Sequence, residues 1–230
     1  MAEPATVPPD TARTDSAPTG RFGAEPLAQT VAAAAAVRRV VGLLLALEHP
    51  HPVVDAMLSE LAGWERELAA AVAPDPAPRF AGDPTDRRVY LNHAFDIGAF
   101  NPCFPEYVFD HLDTATARGR ITFPLVHEGP PGLVHGGFLG VFFDAVVQHH
   151  SCASGVAGKT RSMEVTYRRP TPILTELDFD IARVLSDREI ESTARLLRDG
   201  QLLCSAVVRT VAVPIDGLPT ARFGPRTSRP

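Results

Sequence analysis

The sequence predicts an α+β fold: an antiparallel sheet of about six strands wrapped around one long central helix, with a helical extension in front. Three observations carry that expectation. The stretch PPGLVHGGFLGVFFDAVVQ, 130–148, opens on turn formers and a His-Gly-Gly, then runs apolar on every side from Phe138 to Val147 with Asp144 as its one carboxylate. Runs in which apolar and polar residues alternate stand on both sides of it, the pattern of half-buried strands. Asp199-Gly200 separates the last two runs, a dipeptide that favours a two-residue hairpin turn. A helix apolar all round must be buried all round, and a single antiparallel sheet can bury a single helix that way only by wrapping it.

Taken in order, residues 1–24 are rich in Pro, Thr, Ala and Asp, the composition of a disordered tail. Residues 25–88 read as a helical extension and a linker. LAQTVAAAAAVRRVVGLLLALEH and PHPVVDAMLSELAGWERELAAAV are two helices, split at the HPHP of 49–52 because proline cannot continue a helix. In the second, Val54, Met57, Leu58, Leu61, Trp64 and Leu68 recur at three- and four-residue spacing. They predict an apolar stripe that packs on the main domain or on a partner subunit. APDPAPRFAGDP is a proline-rich linker. The main domain spans 89–215. EYVFDHL and GRITFPL are two strands before the central helix. After it, RSMEVTYRR alternates through Met163, Val165 and Tyr167, and ELDFDIARV through Leu177, Phe179 and Ile181. EIESTARLL and QLLCSAVVRTVAV complete the set, with Ser186-Asp187 as the turn before them. Residues 216–230 are a polar tail.

The order of these elements, β-β-α-β-β-β-β, is that of the hotdog architecture. The chain has 230 residues, 45% of them hydrophobic, and a formal net charge of −5. That is the balance of a soluble globular protein, and without a basic excess it argues against a nucleic-acid partner. Cys103, Cys152 and Cys204 have no CxxC spacing and read as reduced, mostly buried thiols of a cytoplasmic protein. The N-terminus lacks the basic and apolar regions of a signal peptide. VVGLLLAL, 40–47, is far short of the roughly 20 residues of a membrane span, so no span is expected.

GPPGLVHGGFLGVFFDAV resembles the central-helix motif of hotdog-fold acyl-CoA thioesterases, in the PaaI-type branch of the thioesterase superfamily. YRRPTPI at 167–173 and Thr160 at the head of the third strand are further family features, and FNPCFPEY at 100–107 resembles the lead-in to the fold in a group with a helical N-terminal extension. The match covers roughly 100–213. It implies a cofactor-free, metal-free hydrolase acting on an acyl-CoA substrate, assembled as a homodimer or a dimer of dimers. In hydrolysis of a thioester, negative charge builds on the carbonyl oxygen and an attacking oxygen must be supplied. The resemblance gives the first task to the backbone N–H of Gly136, with Gly137 beside it, at a helix start that carries free donors and a positive partial charge. It gives the second to Asp144, eight residues on, as general base or nucleophile. His135 shapes the helix start, with contact to the thioester oxygen as a second role. Thr160 helps to hold the water. Some relatives carry a water-orienting amide shortly before the His; LVHEGPPGLV has none, and Glu128 is the one polar residue there with reach.

Each residue also has a plainer reading. A Gly-Gly can simply be a tight turn, Thr160 a strand starter, and Asp144 a structural carboxylate paired with an arginine. An uncompensated charge in an apolar helix is costly, however, and such residues cluster at functional sites. His149-His150 is not read as a metal site, because adjacent helical residues point to different sides and no ligand set surrounds them. Lys159, Arg161, Arg168 and Arg169 suit the phosphates of coenzyme A as well as they suit a solvated strand end. The alternative function is a non-catalytic acyl-CoA-binding or regulatory protein on the same fold, for which a buried Asp144 has no use. A hotdog hydratase or dehydratase needs a different Asp/His motif, which the sequence lacks.

Overall fold

Period-two burial is what the inner strands retain from the sequence, whereas Met163 and Tyr167, expected to alternate inward, are exposed. β2 (Thr116–Thr122) buries Ala117, Gly119 and Ile121 and turns Arg118 and Arg120 outward. β5 (Glu176–Leu185) buries Leu177, Phe179 and Ile181, and β6 (Glu189–Arg198) buries Ile190, Ser192, Ala194 and Leu196. The computed structural model describes residues 26–71 and 96–214. With β1 (Tyr107–Leu112), β4 (Thr160–Tyr167) and β7 (Gln201–Val211), these strands form one six-stranded sheet in the order β1-β2-β5-β6-β7-β4, with every neighbouring pair antiparallel. β3 (Val156–Ala157) and β8 (Val213–Pro214) add a separate two-residue ladder. The β6–β7 turn has Asp199 at φ 51° and Gly200 at φ 75°, positive at both central positions as the favoured hairpin turn requires. Gly119 is fixed by crowding. A Cβ there would lie 2.0 Å from the Val108 carbonyl oxygen and 2.6 Å from the Phe179 ring, so no larger residue fits between β1 and β5.

The central helix, α4 (Gly136–Ala153), lies between β2 and β3 in the chain and packs on β4, β6 and β7. Leu139, Phe142, Phe143, Val146, Val147 and His150 are buried at helical spacing, and the apolar five meet the inward residues of β2, β5, β6 and β7 in one core. Each fully buried phenylalanine contributes about 1.5–3 kcal/mol through burial. This is the hotdog fold. One expectation needs correcting: α4 is not buried on all sides. Gly136, Gly140, Val141, Asp144 and Gln148 are only half-buried. Four of them lie four residues apart, so they form one stripe along the helix. Glycine hides such a face in the sequence because it has no side chain to count as polar or apolar.

In the extension, α1 (Ala28–Leu45) packs on the short α3 (Ile97–Phe100) and on the 3-10 turn Leu125–His127. Arg38 pins it. Its guanidinium is 6% exposed, pairs with the Glu106 carboxylate at 2.6 Å and donates to the carbonyls of Gly98 and Asn101. Asp96 caps α3 by accepting the Ala99 N–H, and burial raises its carboxyl above the usual range. Arg38→Ala would strand two inward-facing carbonyls, so the expected loss is about 3 kcal/mol of stability, read by urea unfolding; a change under about 0.5 kcal/mol would mean that α1 docks by other means.

Other expectations change here. α1 has a mean hydropathy of 1.4 and by length and composition alone could cross a membrane, so the 40–47 run understated how far the apolar stretch extends. The stripe on α2 (Pro52–Ala71) does not pack on the main domain: Leu58 is 62% exposed, Trp64 54% and Leu68 66%. Of the cysteines only Cys204 is fully buried; Cys152 is half-buried and Cys103 exposed. The readings of 1–24, of the linker and of the C-terminal tail lie outside the described residues.

Candidate active site

The first turn of α4 is built by the loop before it. The His135 N–H donates to the His127 carbonyl at 2.9 Å, which sets the angle at which the chain enters the helix. His135 then caps the helix, its Nδ1 accepting the Gly137 N–H at 3.0 Å. A ring nitrogen that accepts carries no proton, so this cap uses the Nδ1 lone pair of His135. Gly137 therefore spends its N–H on the cap. The Gly136 N–H has no partner among the described residues, and it is the open donor at the positive end of the helix. The Tyr167 ring of β4 lies over Gly136 and its hydroxyl donates to the Gly136 carbonyl at 3.0 Å; a Cβ on Gly136 would touch that ring at 3.2–3.3 Å. Below the turn, His127 packs against Phe123 and Phe138. Burial and the charge of Arg38 bring its pKa down to about 4, so it stays neutral at pH 7.

Two turns along the same stripe, Asp144 Oδ1 accepts from the Thr160 hydroxyl at 2.7 Å. Thr160 Oγ1 in turn accepts from Gln148 Nε2 at 2.9 Å. The directions of this chain are forced. An ionised carboxylate can only accept, Thr160 has one hydrogen to give, and so Gln148 must present its NH2. The β4 head thus reaches the Asp144 end of α4, while Tyr167 at the other end of β4 reaches Gly136. The sequence missed Gln148 and Tyr167 as neighbours of the site. For Gln148 the available signal was an amide one helical turn after the carboxylate, too common a pattern to stand alone. For Tyr167 it was the period-two alternation that put it on the same face of β4 as Met163.

The remaining sequence candidates scatter. Glu128 Oε1 accepts the Gly132 N–H at 2.6 Å and closes the turn before α4. Arg161, 72% exposed, pairs with Glu189 at 3.6 Å. Arg168 is exposed just beyond β4, and Arg169 donates to the Leu202 carbonyl at 2.8 Å. His149 Nδ1 meets the Tyr107 hydroxyl at 3.0 Å, while His150 Nε2 lies 2.6 Å from the Asp113 carbonyl oxygen on another side. Among the described residues no three His, Cys, Asp or Glu side chains are placed to hold a metal.

No family model and no curated protein matches the chain. Among solved structures, a crystal structure of a thioesterase superfamily protein matches at a TM-score of 0.66 with 28% identity, over 82% of this chain and 97% of that one. That share is larger than the sheet domain alone supplies, so the likeness continues into the N-terminal helices. A hypothetical thioesterase from Streptococcus pneumoniae TIGR4, solved with coenzyme A, matches at a TM-score of 0.46 with 15% identity, over 48% of this chain and 88% of that one. A phenylacetic acid degradation-related protein from Ralstonia eutropha JMP134 matches at 0.42 with 18% identity, over 46% and 83%. The neighbour that shares 28% identity is thus a thioesterase superfamily protein.

Proposed function

We propose that the protein is a PaaI-type thioesterase that hydrolyses an acyl-CoA to the free acid and CoA at a site shared by two subunits. The observation that carries this reading is the half-open stripe of α4, which holds an unpartnered amide, Gly136, and a carboxylate, Asp144, already bonded to the Thr160 hydroxyl. With Oδ1 occupied by Thr160, Oδ2 of Asp144 can take a proton from water. Thr160 Oγ1 keeps one lone pair, which can accept the other water hydrogen. A water held by both points its own lone pair away from the protein, toward a thioester carbon. Its attack transfers one proton to Asp144 and adds hydroxide to the carbonyl. The oxyanion that forms is stabilised by a Gly136 N–H and the helix terminus behind it. The C–S bond then breaks, CoA leaves as the thiolate, and the proton on Asp144 returns to sulfur or to solvent. This assigns Asp144 as general base. Arg161 and Arg168, exposed near the two ends of β4, are available to the CoA phosphates.

The test is thiol release from a panel of acyl-CoAs of graded chain length, aryl-acetyl ones included, with the purified protein. Hydrolysis of at least one, dependent on Asp144, is expected. Tight binding of acyl-CoA by calorimetry with no thiol release across the panel would overturn the enzyme reading in favour of a binding protein.

A further inference from the structure

We infer that Gln148 is a positioning residue for the attacking water, acting through Thr160. This rests on the thioesterase reading and names a residue that reading does not need.

A threonine hydroxyl is a rotor. Left alone, it can donate to Asp144, to water, or to substrate, and its lone pairs turn with it. Gln148 removes that freedom. Its NH2 fills one lone pair of Thr160 Oγ1 at 2.9 Å, and the hydroxyl hydrogen is then directed to Asp144 Oδ1 at 2.7 Å. One Thr160 lone pair is then left to receive water. The amide lies on α4 one turn beyond Asp144, a rigid element, so three groups from two elements share a single orientation. The loop before α4 offers no amide, and Glu128 is committed to Gly132. Gln148 supplies an amide from the opposite side of the carboxylate. Its bond is to Thr160 and it is only half-buried, so its effect belongs on turnover rather than on folding or on substrate affinity.

The test combines Gln148→Leu, Gln148→Glu and Thr160→Val in the full-length protein. Gln148→Leu keeps the bulk and deletes the donor; kcat should fall about tenfold while KM stays within about twofold. Gln148→Glu replaces the donor by an acceptor. It competes with Asp144 for the Thr160 hydrogen, so its kcat should fall below that of Gln148→Leu. In a Thr160→Val background Gln148→Leu should have no further effect on kcat, because its only route is gone. A Gln148→Leu enzyme with wild-type kcat, or losses that multiply in the double variant, would overturn the inference while leaving the thioesterase reading intact. A wild-type protein that releases no thiol from any acyl-CoA would take both down together.

Discussion

Asp144→Asn removes hydrolysis and leaves the fold in place. Asparagine is nearly isosteric with aspartate, and its Oδ1 can still accept from Thr160, so the 2.7 Å contact survives. What is lost is the ability to take a proton from water. General base catalysis contributes about 100-fold or more, and the expected kcat falls by at least that factor in the thiol-release assay. The melting temperature should hold or rise, because a half-buried carboxylate carries a desolvation cost that the amide does not. A purified, folded Asp144→Asn protein that keeps more than a tenth of wild-type turnover would show that some other group activates the water. A variant that loses both activity and structure would instead make Asp144 a structural carboxylate, the plainer reading of its place in the sequence.

The fold was legible because its signals are local. Alternation through Leu177, Phe179 and Ile181 in β5 and the Asp199-Gly200 turn depend on neighbours a few residues away, and both appear in the structure. The same is true of the buried face of α4, where Phe142, Phe143, Val146 and Val147 are spaced as a helix requires. The open face was not legible. Gly136, Gly140, Asp144 and Gln148 stand at four-residue spacing, but two of the four carry no side chain, and the helix therefore read as apolar on every side with Asp144 as a lone exception. The Asp144–Thr160–Gln148 chain joins residues sixteen and twelve apart in sequence, and no spacing rule links a helix to the next strand in that way. Glu128 was singled out for its reach in the sequence, but it bonds to its own turn because the nearest unsatisfied backbone N–H, that of Gly132, lies four residues away. The α2 stripe was read as packing on the main domain or on a partner subunit, and in the single chain it stays exposed. Periodicity states that a face needs a partner without saying which molecule provides it.

A mixed dimer of two inactive variants regains activity. Gly136 and Asp144 are eight residues apart on one helix, about 12 Å at about 1.5 Å per residue. Groups that act on one carbonyl must come within roughly 3–3.5 Å of it, so one chain does not readily bring both to the same thioester. Two chains can, if their α4 stripes face each other across a two-fold axis. The single chain leaves room for this. Among the described residues β4 is the last strand of the sheet and pairs with β7 alone, and its Met163 and Tyr167 are exposed beside the open stripe. An edge strand with unpaired backbone groups is a natural pairing surface. Gly136→Pro deletes the amide donor at a position where proline suits the helix, though its ring will press on Tyr167. Gly136→Ala adds the same crowding and keeps the N–H, so it serves as the steric control and should stay the more active of the two. Gly136→Pro and Asp144→Ala should each be inactive alone. After co-refolding, a mixed dimer has one site with both defects and one with neither. Random association then restores about a quarter of wild-type activity. If mass measurement confirms the mixed dimer and no activity returns, both groups must serve one thioester from within a single chain, and the shared site is wrong.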